Sequence, residues 1–441
     1  MLHAAAATLT PDQADAAAPA APGTVEETGL PREFLAEHAL RLMYRRGLAT
    51  VGGLSEVMRI SPAIVAELAE QLRQDLMIVP LGQLRADLRA EMRFELTDAG
   101  RLRAAEAAAR LDWSGAVPVT LERWRAAVAA QSVKDRRIDR ARLQAAFGHL
   151  VTPDGVLERL GPAVNSGRSI LLYGPPGNGK SSYAHALARA MEGGVHVPYA
   201  LYVEGEVIQL FDPSLHRLMP DEDPWTVAEL MQAGAPDLRF AHCVRPAVVS
   251  GAELTTEMLE LRWNPSSRVY QAPLHAKATN GVFIIDDLGR QREQPQALIN
   301  RMIVPMEEAV DYLSLQSGFS FQVPFDVLMI FSTNIPPAEL LDSAGLRRIY
   351  YKILIERPSR EDFITIFLRV AEKRRVDGVE AALAHILGEL YARHNLDFAA
   401  YHAVYLIDQA IAACDYHGVP RELRPEFLDE AWANLSVIDA A

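Results

Sequence analysis

The sequence predicts an α/β protein built on a parallel sheet, with a small α+β domain before that sheet and an all-helical domain after it. Three observations carry this. An apolar run from Ser169 to Tyr173 enters Gly174-Pro175-Pro176-Gly177-Asn178-Gly179-Lys180-Ser181 and leaves through Ser182 to Ala190, which are rich in helix formers. Two further apolar runs end in polar residues, Val282 to Ile285 in Asp286-Asp287 and Asp326 to Ser332 in Thr333-Asn334. Uninterrupted apolar strands of this kind fit a sheet covered on both faces. After Arg357-Pro358-Ser359-Arg360, helical spacing continues through Phe363 to Arg374, Val379 to Tyr391, Ala399 to Cys414 and Pro425 to Leu435.

With 441 residues the chain exceeds what one core usually serves, so two or three domains are expected. The net charge of −13 gives no reason to expect non-specific binding to nucleic acid or anionic membrane. Cys243 and Cys414 are too few for a disulfide framework, lack paired zinc-ligand spacing and are expected as packing residues in a reducing cytosol. No stretch approaches ~20 apolar residues, so no membrane span is predicted. Asp12 and Asp15 interrupt an alanine- and proline-rich start, which argues against a signal peptide. The expectation is a cytoplasmic protein whose residues 1–30 form a disordered tail.

Residues 31–110 open with apolar positions at helical spacing, Phe34 to Met43, which stop at Arg46-Gly47. A short helix over Leu54 to Arg59 follows, then a third that Ser61 caps and Pro62 begins. Met77 to Gly82 and Arg93 to Leu96 read as two strands feeding a closing helix. Three small helices and a two-stranded ribbon resemble a winged helix. Such domains often bind DNA, but the third helix carries Glu67, Glu70 and Asp75 against Arg73 alone, the wrong sign for a phosphate-lined groove. Protein docking is the favoured reading, with DNA left open by Arg85, Arg89 and Arg93 on the wing. Residues 111–138 read as a linker with a helix near Leu121 to Gln131 and a basic patch, Lys134 to Arg137.

The glycine-rich turn is a nucleotide-phosphate site. Gly174, Gly177 and Gly179 let backbone N–H groups turn toward phosphate oxygens, with Pro175, Pro176 and Asn178 completing the loop, Lys180 reaches the β- and γ-oxygens, and Ser181 offers a hydroxyl to Mg²⁺. Ser182 follows at the positive helix end. Asp286 is placed to hold Mg²⁺ and Asp287 to orient or deprotonate water. Asn334, which in isolation is an ordinary strand-end residue, can hold the γ-phosphate and water in register.

These segments resemble the Walker A, Walker B and sensor 1 motifs of the AAA+ ATPases, in family order, within a region of about 139–435. The resemblance implies an AAA+ core over 139–355, a helical lid over 356–441, ATP and Mg²⁺ as ligands, and a ring, expected as a homohexamer. Leu341 to Ile349 resembles the helix end that carries the arginine finger, with Arg348 preferred over Arg347; two arginines capping a helix C-terminus is the alternative. On the lid, Arg421 is the candidate γ-phosphate sensor and Arg424 is nearly as good. Tyr312 to Val323 is similar to the hairpin before sensor 1 in one large branch of the family. Two departures stand out. Most active members have glutamate where Asp287 stands, and the long spacing from Lys180 to Asp286 places an insertion at about 195–245, with a hairpin over Val197 to Phe211, a helix near Trp225 to Met231 and the missing core strand at Pro246 to Ser250. The functional expectation is an ATP hydrolase that remodels a protein client recruited by residues 31–110, with a loop around Leu261 to Asn264 expected to face the ring centre; the alternative is an ATP-gated, DNA-binding regulator or scaffold.

Overall fold

The computed structural model describes residues 18–83, 92–220, 235–394 and 396–439. In chain order the N-terminal module has helices α1 (Arg32–Arg46), α2 (Val51–Met58) and α3 (Pro62–Gln74), strands β1 (Ile78–Gln83) and β2 (Met92–Leu96), and helix α4 (Asp98–Arg110). Each helix start has a local cause. The side chains of Thr50, Ser61 and Thr97 accept from the backbone N–H groups of Gly53, Ile64 and Gly100. β1 and β2 pair antiparallel, and Leu35, Leu42, Met58, Ile64, Leu68 and Ala104 form the core beneath them. On α3, Glu67 pairs with Arg32 and Glu70 with Arg73. Arg85 and Arg89 lie outside the described residues.

Next come β3 (Val119–Thr120), α5 (Leu121–Ala130), α6 (Arg140–Phe147), α7 (Val156–Asn165), β4 (Ile170–Tyr173) and α8 (Lys180–Ala190). Strands β5 (Gly194–Pro198), β6 (Ala200–Val203), β7 (Glu206–Gln209), β8 (Phe240–Val244), β9 (Ala247–Ser250), β10 (Arg262–Asn264) and β11 (Val269–Gln271) lead to α9 (Leu274–Lys277) and β12 (Gly281–Ile285). Then follow α10 (Pro295–Glu308), β13 (Val310–Ser314), β14 (Ser320–Pro324), β15 (Val327–Thr333), α11 (Pro337–Leu340), α12 (Ser343–Arg348) and β16 (Tyr351–Leu354).

The central sheet has the order β16-β4-β15-β12-β9, all parallel. Every residue of β12 and β15 is buried, which explains their unbroken apolar sequence. The expected edge strand near Pro246 to Ser250 is β9. In contrast, β13 and β14 alternate buried and exposed residues, as a hairpin with one wet face must. Its root is anchored by Asp311, whose carboxylate meets His275 Nε2 at 2.7 Å and Arg301 at 2.8 and 2.9 Å.

Several boundaries need correction. The insertion is larger than residues 195–245, because its sheet, ordered β10-β11-β7-β6-β3, draws strands from 119–120 and 262–271 as well. Leu261 to Asn264 is therefore not a free loop: β10 is the edge strand of that sheet. The hairpin expected over Val197 to Phe211 is β6 and β7 around Glu204-Gly205, and the expected helix near Trp225 lies outside the described residues. Residues 111–138 are not a loose linker. Val117 is buried in the module, while Val119, Trp124 and Val128 are buried under the insertion sheet. Phe34 and Tyr202 meet edge to face at 4.8 Å across the same junction. The tail expectation is corrected for residues 18–30, while residues 1–17 lie outside the described residues: Val25 and Leu30 are buried in the module core, and Ala20 bridges Pro236, because apolar burial there offsets the ordering entropy.

The lid consists of α13 (Arg360–Arg374), α14 (Val379–His385), a π turn over Ile386–Leu390, α15 (Tyr391–His394), α16 (Ala400–His417) and α17 (Pro425–Asp439). Its core gathers Phe363, Phe367, Leu406, Ile407, Leu428 and Trp432. Cys243 and Cys414 are buried and form no disulfide. Among the described residues no helix is long and apolar enough to cross a membrane.

One buried histidine gives the module a pH signature. His38 Nε2 lies 2.9 Å from Gly115 O, and burial, then the charge of Arg41, pushes its pKa down to about 3. The native ring is neutral and donates through Nε2–H. Because the unfolded imidazole titrates near ~6.5, the unfolded chain takes up protons first, and stability falls as pH drops from about 6.5 toward 3. Between pH 7.5 and 5.0 the wild type should lose about 2 kcal/mol that His38→Gln does not lose. Urea titration followed by Trp113 fluorescence checks this; equal losses in both proteins would contradict it.

Candidate nucleotide site

The phosphate loop leaves the C-terminal end of β4 in a path that two glycines make possible. Gly174 has φ +142° and a Cβ there would stand 2.2 Å from Ile355 O; at Gly177, φ +75°, a Cβ would stand 2.1 Å from the ring of Tyr401. The loop then starts α8, so its N–H groups face one point at a positive helix end. Lys180 folds back over the loop, and its Nζ donates to Gly174 O at 2.9 Å and Pro175 O at 2.8 Å. Burial lowers its pKa, with the carboxylates of Asp287 and Asp286 opposing the shift.

The acidic pair sits across the sheet from this loop. Asp286 Oδ1 accepts from Ser181 Oγ at 2.9 Å and from Ser332 Oγ. Asp287 has φ +50°, a conformation that costs about 1 kcal/mol or more in a non-glycine residue and that is held here by its surroundings. Its N–H donates to Ser332 Oγ at 3.2 Å, and Leu288 N–H donates to Ser332 O at 2.7 Å. Gln291, buried, donates from Nε2 to Asp286 O at 3.2 Å and Gly251 O at 3.0 Å. Asn334 Nδ2 donates to Asp287 Oδ1 at 3.2 Å. The end of β15 is thus zipped to the turn after β12, and the zip aims Asp287 and Asn334 into one cavity.

That cavity measures about 550 Å³. Gly177 to Ser182, Asp287 and Asn334 line its polar end, whereas Leu150, Val151, Ile366, Val370 and Val404 give an apolar end suited to a planar base. The lid closes it from above. Tyr401 N–H donates to Gly177 O at 3.0 Å and Ala400 N–H to Asn178 Oδ1 at 3.2 Å. Arg369, also in the lining, donates to Leu150 O at 2.9 Å and so ties α13 to the segment beside the base end.

The structure therefore brings Lys180, Ser181, Asp286, Asp287 and Asn334 together and leaves other expected residues out. Arg421 is exposed, pairs with Asp415 at 2.8 Å and does not line the cavity; Arg424 pairs with Glu422. Both are corrected as nucleotide contacts of this conformation, since the lid turns α16, not the segment around 421, toward the phosphate loop. Arg369 and Tyr401 occupy that place, and no local sequence pattern marks them. Arg348 and Arg347 end α12 at the opposite ends of the strands; Arg348 Nη1 donates to Ala344 O at 2.9 Å, and its guanidinium meets Glu307 at 3.1 Å. Among the described residues no three His, Cys, Asp or Glu side chains gather around a metal position. A magnesium ion bound with phosphates needs no such cage, and the Ser181–Asp286 contact places a hydroxyl and a carboxylate where such an ion takes its protein ligands.

Residues 170–357 match the model of the ATPase family associated with various cellular activities, AAA. This segment is an AAA ATPase domain. Residues 359–434, the lid, match a domain of unknown function, DUF8689. No curated protein matches the sequence. Among solved structures, the RuvB Holliday junction branch migration motor of Thermotoga maritima is similar at 14% identity, covering 68% of this chain and 70% of that one with a TM-score of 0.33. The BchI–BchD complex of magnesium chelatase is similar at 16%, covering 65% and 93% with a TM-score of 0.34. NtrX of Brucella abortus gives 13%, 56% and 49%, with a TM-score of 0.33.

Proposed function

We propose that this protein hydrolyses ATP with Mg²⁺ in a ring of six identical subunits, the number resting on family resemblance, and uses the cycle to remodel a protein client recruited by the N-terminal module. The observation that carries the hydrolytic part is the convergence of Lys180, Ser181, Asp287 and Asn334 on one lid-covered cavity inside the AAA domain, with Asp286 hydrogen-bonded to Ser181 beside it. Lys180 exchanges the carbonyls of Gly174 and Pro175 for β- and γ-phosphate oxygens. Ser181 Oγ and Asp286 would hold Mg²⁺, which would supply charge neutralisation on those oxygens when bound. Asn334 fixes one oxygen of Asp287, leaving the other to accept a proton from water. As the water oxygen bonds to the γ-phosphorus, the bond to the bridging oxygen breaks and ADP and phosphate result.

Arg348 points away from its own nucleotide cavity, which supports a role on the nucleotide of a neighbouring subunit, with Arg347 beside it as the alternative. The module's fold and its ion-paired acidic third helix support a docking role toward protein rather than duplex DNA. The test uses the full chain. Turnover should rise several-fold when the client is added, and duplex DNA should neither bind at physiological salt nor stimulate turnover. Tight duplex binding that weakens steeply with salt would replace the client reading with that of a DNA-linked regulator.

A further inference from the structure

β15 is buried along its whole length, yet it ends in two hydroxyls, those of Ser332 and Thr333. A buried hydroxyl is costly unless it is hydrogen-bonded, so each needs a partner. Thr333 Oγ1 donates to Leu288 O at 2.7 Å, a tie to the backbone alone. Ser332 does more. Because Ile285 of β12 pairs with Phe331 of β15, Ser332 stands one residue beyond the paired register, beside the acidic turn, and it meets three consecutive residues there. Its carbonyl accepts from Leu288 N–H at 2.7 Å, and its Oγ accepts from Asp287 N–H at 3.2 Å and donates to Asp286 Oδ1. A backbone N–H can only donate, so the single proton of this hydroxyl is committed to the Asp286 carboxylate.

One hydroxyl therefore joins the two carboxylates. On Asp286 it shares Oδ1 with Ser181 Oγ, which stands 2.9 Å away at the start of α8. The two donors differ in place. Ser181 lines the nucleotide cavity, whereas Ser332 is 1% exposed and is not among the described residues that line it, so Ser332 touches no phosphate and acts from behind. A carboxylate held from behind by a fixed donor keeps its rotation when a metal ion arrives, and partners of this kind tune metal affinity although they are not ligands. On Asp287 the same oxygen satisfies the N–H of a residue at φ +50°, a conformation that persists only while its surroundings hold it. Removing Oγ would spare the backbone bond to Leu288 and release both carboxylates together.

We propose that Ser332 is a positioning residue that sets Asp286 for Mg²⁺ and Asp287 for water through one hydroxyl, so that metal affinity and turnover depend on the same side chain. The inference rests on the ATPase reading above. Its test uses the full chain, freed of nucleotide, saturated with ADP and titrated with Mn²⁺, whose electron paramagnetic resonance signal reports bound metal without turnover. Ser332→Ala, at unchanged circular dichroism, should bind Mn²⁺ about 10–100-fold more weakly, the usual effect of losing such a partner. Its affinity for ADP in EDTA should stay at the wild-type value, because the phosphate loop is untouched. With ATP at saturating Mg²⁺, kcat should fall while KM changes little. Ser332→Thr keeps the hydroxyl on a β-branched residue suited to a strand and should restore Mn²⁺ binding. Equal Mn²⁺ affinity in Ser332→Ala and wild type, a parallel loss of ADP affinity in EDTA, or no recovery in Ser332→Thr would overturn the proposal. Wild-type protein that takes up no Mn²⁺ with ADP would overturn the ATPase reading and the proposal with it.

Discussion

Asp287→Asn is expected to lower ATP turnover by about 10²–10⁴-fold while ATP still binds, because the amide keeps the shape but cannot accept the proton of water. The geometry makes this substitution unusually clean. The backbone of Asp287 is fixed at φ +50° by Ser332 and Gln291, neither of which touches its carboxylate, and an asparagine tolerates that conformation as well as aspartate does. Its contact with Asn334 becomes an amide pair that can still form one hydrogen bond. Bound nucleotide in the variant, recovered by rapid filtration, should therefore be ATP rather than ADP. Because aspartate is one methylene shorter than the glutamate usual in the family, Asp287→Glu provides the converse check, and turnover near or above the wild type would show that the carboxylate has room to advance. Normal hydrolysis by Asp287→Asn would assign the base elsewhere.

Arg348→Ala is expected to lower turnover by about 10³-fold or more, with nucleotide affinity little changed, as for an arginine that acts on the transferring phosphoryl group from outside its own site. The ionic contact with Glu307 is half exposed and contributes little to stability, so folding should survive the change. Arg347→Ala should cost less if Arg348 is the acting residue, and the two effects reversed would exchange their roles.

The residues of the nucleotide site were legible because each stands where an apolar run stops. Lys180, Asp286, Asp287 and Asn334 all follow strands with no polar interruption, and a parallel sheet puts the ends of such strands side by side. The helix caps at Ser61 and Thr97 were legible for the same local reason. What sequence could not supply was contact across long separation. Ser332 acts through partners 45 and 46 residues away, Gln291 reaches Gly251 40 residues away, and Arg369 reaches Leu150 219 residues away. Arg421 lies outside the cavity and pairs with Asp415, because which lid helix faces the phosphate loop depends on packing around Trp432 and Phe363 rather than on local pattern. The strand β3 is two residues long, too short for a period, although it closes the insertion sheet and binds residues 111–138 into the structure.

The most direct test of a shared active site is to mix two inactive proteins. Lys180→Ala lacks a working phosphate loop but retains Arg348, and Arg348→Ala lacks the finger but retains its loop and Asp287. If each site is completed by the neighbouring subunit, rings assembled from both should recover turnover well above the sum of the separate preparations, rising and falling with the mixing ratio. Turnover that stays at the sum of the two across all ratios, or full activity from wild-type protein that remains monomeric with ATP and Mg²⁺, would contradict it.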